Sequence, residues 1–454
     1  MRWMISVLGL LFSLPAQASD LQSIADAYVE EAQRAPAVAM VRITPSGVER
    51  AVSGPDSVNP DSLFEIGSIT KVFTGILLAD MVIRGEVSLE TTVGDLWQHD
   101  EELDPDVATI TLQELARHTS GLARLPTGPR MLLRVFTQPA DPYRGLTTDE
   151  LFNDLAAVRA DQLQNRGQFQ YSNFGMAVLG RLLEEVTDQS YEASLEQRVL
   201  QPLGLEGMNF IDQRMDDPNL LDAHRGNLQP AGHWHMAAYA PAVGLVASLD
   251  HLERFLVLAM QPEPGSALEK SIHERLGWAH SDHGQGVMIW HNGQTGGFHS
   301  FLGFVPESGR GVVVLSNAAN GADDFAVALL RDEELPMRAD SGWLMPAFTL
   351  LFAPLGAVLL AGFMLKPASR LHGLDALLAS TFLLGLTWKI GTWEFIPLFY
   401  WHLAAFATVM MAAMAIPRLI SAPWIPANKP WITAGKSLSV VFYLLVCFWV
   451  YGRL

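Results

Sequence analysis

The sequence predicts an α+β fold: an antiparallel sheet flanked by helices, with a helical subdomain inserted, followed by a C-terminal bundle of transmembrane helices. Three observations carry this. Strand-like runs occur early, at 37–44 and 48–53, and again much later, at 286–291, 298–305 and 311–316. Between them the apolar spacing is helical, and strands from both ends of a domain meet most simply in one antiparallel sheet. Beyond Gly342 the composition changes to long apolar stretches carrying seven basic and two acidic residues.

In chain order, residues 1–18 carry Arg2, an apolar run from Met4 to Leu14 and the triplet Ala16-Gln17-Ala18. That is the pattern of a secretory signal peptide cleaved after Ala18, and the run is too short to cross a bilayer comfortably. An uncleaved N-terminal anchor is the alternative. Residues 20–34 have the spacing of an amphipathic helix, and Pro45-Ser46-Gly47 is a turn joining the first two strands. A core helix follows around Ser68. From 94 to 240 the pattern is helical with loops, clearest at 149–158 and 176–187, and a further helix covers 251–260 before the late strands. A last helix at 323–330 and a short charged linker, 331–342, complete a domain spanning 19–340.

The final domain, 341–454, holds four apolar segments, 343–365, 372–393, 395–416 and 432–452. Each is near the ~20 residues that cross the hydrocarbon core. With the preceding domain outside, Lys366, Arg370, Arg418, Lys429 and Lys436 fall in cytoplasmic loops, and Glu394 and Arg453 fall outside. Basic residues then sit mainly inside, in agreement with an exported N-terminus. Trp388, Trp393, Trp401, Trp424, Trp431 and Trp449 lie near segment ends, as interfacial anchors do. The expected location is the bacterial inner membrane, multi-pass, with the large domain in the periplasm and the lipid bilayer as one partner. A homodimer through the membrane helices is a further expectation.

The chain has a net charge of −18 with a basic tail, so the exported part is more acidic than the whole. That argues against nucleic acid as a partner. The single cysteine, Cys447, lies in the last apolar segment, so no intramolecular disulfide forms.

Chemistry enters at Ser68-Ile69-Thr70-Lys71. On a helix, Lys71 follows Ser68 by about one turn, so hydroxyl and amine share a face. Positions 69, 72, 73, 76, 77 and 81 are apolar, which buries the helix and favours a neutral amine able to take a serine proton. Between residues 19 and 343 the only lysines are Lys71 and Lys270. The alternative is a lysine snorkelling from a core helix.

Two other stretches carry chemical content. Tyr171-Ser172-Asn173 precedes a helix. Its phenol is of a type that relays a serine proton to a leaving group, and its amide is of a type that binds a substrate carbonyl. In isolation it reads as a plain helix start. His291-Asn292-Gly293-Gln294 joins two strand runs through a glycine-rich turn, where an edge strand can donate an N–H to an oxyanion. It reads equally as a hairpin. His118-Thr119-Ser120-Gly121-Leu122 reads as a structural helix C-cap, with the histidine favourable at the negative end. His233/His235 and His280/His283 lack carboxylate or cysteine partners at ligand spacing, so neither a metal nor another cofactor is expected.

Together these residues resemble the serine β-lactamase/penicillin-binding-protein superfamily, in the branch of class C β-lactamases, D-stereospecific peptidases and related esterases. The resemblance spans roughly 20–335. Phe64-Glu-Ile-Gly-Ser-Ile-Thr-Lys71 resembles the nucleophile box, and Ile110-Thr-Leu-Gln-Glu-Leu-Ala-Arg-His-Thr-Ser-Gly-Leu122 a helix with its cap. Phe169-Gln-Tyr-Ser-Asn173 resembles the second box, Pro202-Leu-Gly-Leu205 a familiar turn, and His291-Asn-Gly293 stands at the third box. The resemblance implies a β-lactamase/transpeptidase-like fold. It implies Ser68 as acylated nucleophile, Lys71 as its activating partner, Tyr171 as proton relay and Asn173 as a substrate-positioning group. His291, Asn292, Gly293 and Gln294 would bind substrate, with the backbone N–H groups of Ser68 and Gln294 as oxyanion donors.

The third box departs from the usual pattern, with His291 in place of a fixed cation and Asn292 in place of threonine. That favours a peptidase, amidase or esterase acting on small peptide, amide or ester substrates, D-amino-acid peptides included. The membrane tail resembles that of membrane-bound prodrug-activating peptidases of the colibactin type, which remove an N-acylated D-amino acid cap. The alternatives are β-lactamase or cell-wall D,D-peptidase activity, or a catalytically idle penicillin-binding-like sensor.

Overall fold

The computed structural model describes residues 20–128, 130–131, 133–134, 141–282, 286–336, 344–365, 369–390, 398–424 and 439–440. The signal-like 1–18, His283 and nearly all of the fourth apolar segment, 432–452, lie outside the described residues.

One six-stranded sheet dominates. Its strands are β1 (Val38–Thr44), β2 (Gly47–Ser53), β6 (Ala279–Asp282), β7 (Val287–Gln294), β8 (His299–Val305) and β9 (Arg310–Ser316), in the order β2-β1-β9-β8-β7-β6. All neighbours are antiparallel. The first strand of the chain pairs with the last, Val38 opposite Ser316, so the two ends of the domain close one sheet as expected. The predicted runs appear with small shifts, and β7 extends to Gln294. β6 was not anticipated, nor was a second sheet in which β5 (Leu245–Ala247) lies between β3 (Phe64–Glu65) and β4 (Asn209–Phe210). Strands of two to four residues carry too little alternation to be legible in a sequence.

Both faces of the large sheet are covered, which is why β8 and β9 read as nearly continuous apolar runs. Alternation still sorts the side chains. Val41, Ile289, Leu302 and Val313 join the larger core, under helices Thr70–Ile83 and Leu249–Met260. Met40, Met288, Phe301 and Val314 join a second core, under Leu21–Asp26 and Asp323–Arg331. The expected amphipathic helix at 20–34 is shorter than predicted: Leu21–Asp26 opens into a π-helical turn, Ala27–Glu31. Arg34 follows, and its guanidinium donates to the carbonyl of Pro336, tying the end of the domain back to its beginning.

Helix Thr70–Ile83 lies in the middle of the larger core, with Ile69, Val72, Phe73, Ile76, Leu77 and Met81 all buried. Phe73 packs on Phe255 with ring centroids 4.5 Å apart. Fully burying each such side chain contributes about 1.5–3 kcal/mol, so the helix is held by packing rather than by intrinsic propensity. The helical subdomain includes Thr148–Ala156, closed by a Thr147/Glu150 capping box, and Asn173–Thr187, capped by Ser172.

At the C-terminus three helices, Leu344–Leu365, Arg370–Ile390 and Leu398–Ser421, are long and apolar enough to cross a membrane. The second begins two residues earlier than the apolar segment predicted. The third runs on to Ser421 through Pro417.

Candidate active site

Ser68 sits in a single 3₁₀ turn, Gly67–Ile69, that opens helix Thr70–Ile83. The sequence placed Ser68 and Lys71 on one helix face. The tighter turn achieves the same alignment, because side chains three apart eclipse there. Lys71 Nζ lies 2.9 Å from Ser68 Oγ and donates to the carbonyl of Ala242 at 2.7 Å. Ser68 keeps 8% of its surface exposed and Lys71 none, so the hydroxyl can be reached from outside while the amine cannot. Burial, and then the charge of Arg124, hold the Lys71 pKa well below its ordinary value. No carboxylate pairs with the amine among the described residues, so the neutral form is favoured.

The turn is fixed from the strand side. Gly67 has φ +51°, and a Cβ there would lie 2.8 Å from the backbone nitrogen of Gln294. At Gly293 a Cβ would lie 1.9 Å from the carbonyl oxygen of Ile66. Only glycines let β7 approach the serine turn this closely, which brings the backbone around Ser68 and Gln294 together.

Tyr171 and Asn173 arrive from the subdomain. Lys71 Nζ is 4.9 Å from the centroid of the Tyr171 ring, and the phenol lies by the Ser68 hydroxyl. Burial raises the Tyr171 pKa, and the Ser68 hydrogen bond and Arg124 partly offset this. Asn173 opens helix Asn173–Thr187, and its Nδ2 donates to Tyr143 Oη at 3.1 Å. Its Oδ1 is buried and has no partner among the described residues.

The third-box residues divide between the two faces of the sheet. Pairing of β7 with β8 sets the register, and alternation does the rest. His291 faces the serine side, with its ring centroid 6.3 Å from that of Tyr171. Asn292, expected to bind substrate, points to the opposite face, where Nδ2 donates to Asp323 Oδ2 at 2.6 Å. The Gln294 side chain donates to the carbonyl of Ala319, leaving only its backbone near the serine.

His291 also lies far from the ordinary titration of a histidine. Burial, followed by the charge of Lys71, lowers its pKa to about 3, so the ring is neutral at physiological pH. His118 is more than a cap. Its backbone does take the left-handed conformation at φ +58° beyond Leu112–Ala116. Its Nδ1, however, accepts the N–H of Ser172, and its ring packs 4.6 Å from that of Tyr171. Burial and Lys71 keep it neutral as well, so a charge interaction with the helix end does not operate.

Two residues of this region were not singled out by the sequence. Tyr143, thirty positions before Asn173, carried no local signal. Arg124 follows the His118–Leu122 cap. Its carbonyl accepts the N–H groups of Asn173 and Phe174, and its guanidinium carbon lies 5.2 Å from the centroid of the Tyr171 ring. His233 bonds Glu65 and His235 bonds Asp141, so each ring of that pair has its own carboxylate, while His283 of the other pair lies outside the described residues. Among the described residues no group of three or more metal-ligating side chains gathers.

A serine paired to a buried lysine, placed between a helical subdomain and the edge of an antiparallel sheet, defines a serine hydrolase of the β-lactamase type. The chain belongs to the Beta-lactamase family, whose profile matches residues 21–335. It is 29% identical over 310 residues to "Penicillin-binding protein 4" of Amycolatopsis lactamdurans, covering 61% of this chain and 77% of that protein. It is 24% identical over 284 residues to "Protein flp" of Staphylococcus aureus (strain N315), and the match spans 57% of this chain and 53% of the relative. Among solved structures, a class C β-lactamase from Rhodobacter sphaeroides superposes with a TM-score of 0.55 at 19% identity, covering 68% of this chain and 96% of that one. That last similarity concerns the fold.

Proposed function

We propose that this protein is a membrane-anchored extracytoplasmic hydrolase that cleaves an amide, peptide or ester bond through an acyl-enzyme on Ser68. The single observation that carries the reading is the 2.9 Å contact between Ser68 Oγ and a Lys71 amine enclosed without a carboxylate. A neutral amine takes the hydroxyl proton as Oγ attacks the substrate carbonyl. The developing oxyanion is received by the backbone N–H groups of Ser68 and Gln294, drawn together by Gly67 and Gly293. Tyr171 passes the proton to the departing nitrogen or oxygen, which leaves as amine or alcohol. Water then attacks the acyl carbonyl, releasing the acid and returning the proton to the site.

Asn173 positions the substrate with the buried Oδ1 that lacks a protein partner. His291 contributes a neutral wall, and the Asn292 side chain takes no part. The three C-terminal helices hold the domain at a bilayer, with the domain of 19–340 on the outer face and the signal-like 1–18 directing export. D-amino-acid peptides are the first substrate class to screen, with β-lactams as the second, and the name of one relative, "Penicillin-binding protein 4", supports including β-lactams.

The test is covalent. Full-length protein in detergent is treated with a fluorophosphonate probe and the adduct is mapped by mass spectrometry. The expected adduct is on Ser68 and is absent from Ser68→Ala. A stoichiometric functional adduct on another residue would sink the reading.

A further inference from the structure

His291, which stands in place of a fixed cation on β7, is neutral. A cation does stand at the site, on the opposite wall. Arg124 is exposed, and its guanidinium lies over the Tyr171 ring at 5.2 Å. Its backbone is pinned: Ser172 Oγ donates to the carbonyl of Ala123, and the carbonyl of Arg124 receives the N–H groups of Asn173 and Phe174. The helix start that carries Tyr171 and Asn173 therefore also fixes where Arg124 projects.

Arg124 also lacks a counter-ion. Many arginines of this acidic domain are tied to carboxylates, as in Arg117–Glu274 at 2.6 Å, Arg166–Glu114 at 2.8 Å and Arg198–Glu86 at 2.7 Å. Arg159 and Arg254 donate to backbone carbonyls instead, so what distinguishes Arg124 is its place over Tyr171 beside the serine. Among the described residues no carboxylate lies within ion-pair distance of Arg124, and the undescribed positions between 20 and 336 hold no Asp or Glu. Lys71, His118 and His291 beside it are buried and favour their neutral forms. The guanidinium is the one fixed cation among these side-chain types. An exposed guanidinium with free N–H donors at the mouth of a site is matched by a planar anion that it can hold with two parallel hydrogen bonds.

We propose that Arg124 is the anion receptor of this site, selecting substrates that carry a carboxylate near the scissile bond. This rests on the acyl-enzyme reading and names a feature of the substrate that the reading leaves open. The charge of the site then stands on the subdomain wall, while the strand beside the serine stays uncharged.

The experiment compares two probes of equal size, the N-phenylacetylglycyl ester of 3-hydroxybenzoate and that of 3-hydroxybenzamide. The readout is the ratio of their kcat/KM values for the full-length protein in detergent. Arg124→Ala should lower the carboxylate-to-carboxamide ratio about 10- to 100-fold, the scale of a lost hydrogen bond to a charged group. Arg124→Lys should restore part of it. Raising salt from about 20 to 500 mM should narrow the ratio in the wild type, because an exposed charge is screened. A ratio unchanged by Arg124→Ala overturns the proposal, including the case in which both probes slow equally. If Arg124→Ala fails to fold, Arg124→Gln and the wild-type salt series decide by the same ratio. Fluorophosphonate labelling separates the two readings. Ser68 labelled with the ratio unchanged removes only the anion receptor, whereas Ser68 unlabelled removes the mechanism on which it rests.

Discussion

Lys71 and Arg181 are both buried basic side chains, and the protein treats them in opposite ways. Arg181, on helix Asn173–Thr187, meets Glu184 at 3.0 Å and Glu192 at 3.1 Å and donates to the carbonyls of Ala237 and Ala238. Burial disfavours its charge, but Glu192 and Glu184 outweigh burial and hold its pKa above the ordinary value. Lys71 receives a hydroxyl and one carbonyl. Where a buried cation serves the fold, carboxylates come with it. At Lys71, the base of the proposed mechanism, they are absent among the described residues, and desolvation shifts the pKa instead. The absence of a partner is thus as informative at Lys71 as its presence is at Arg181.

The largest effect that tests this contrast is chemical. Lys71→Ala should slow turnover of any good substrate by about 10²- to 10⁴-fold, and Tyr171→Phe by at least ~10²-fold, the scale of lost proton transfer. Single-turnover acylation kinetics check both. Near-wild-type acylation by Lys71→Ala would end the assignment of the amine as base.

Arg181 should behave in reverse. Arg181→Met leaves Glu184 and Glu192 partly buried without their cation, which costs about 3 kcal/mol, the low end for a broken buried pair. The measurement is urea denaturation of the full chain in detergent, with kcat measured on the remaining folded fraction. A large loss of kcat without a loss of stability would erase the distinction between the two residues.

The smallest effect concerns His291. Its folded pKa of about 3 lies below the ~6.5 of an unfolded histidine. Between these values the unfolded chain binds a proton that the folded one refuses, so stability rises with pH across that window and is lost as pH falls. For this one ring the slope is at most about 1.4 kcal/mol per pH unit. His291→Gln should flatten the stability profile between pH 6.5 and 4.5 by that amount relative to wild type, followed by urea titration. Identical slopes would show that His291 is charged in the folded protein after all.

The legible parts of this molecule are those whose cause is local. Ser68 and Lys71 are three residues apart on an apolar run, so their meeting needs only a turn of helix. β1, β2, β7, β8 and β9 declare themselves by β-rich apolar runs bounded by turns, and three C-terminal helices by length and apolarity. The side chains of β7 were only partly legible. A one-residue shift of frame exchanges the faces, and pairing with β8 alone places His291 toward the serine and Asn292 toward Asp323.

Tertiary structure decided what depends on distant chain or on solvent. Tyr143 reaches Asn173, and Arg124 lies over Tyr171, because the 118–125 segment caps the helix that carries the second box. No periodicity encodes such meetings. The neutrality of His291, His118 and Lys71 belongs to the same class, since a side chain's pKa follows the water it loses and the charges packed beside it. Residue type and spacing singled out Ser68 and Lys71 as the proposed nucleophile and its partner. The packing of the subdomain against the sheet decided which groups around them hold a charge and which side chains face the serine.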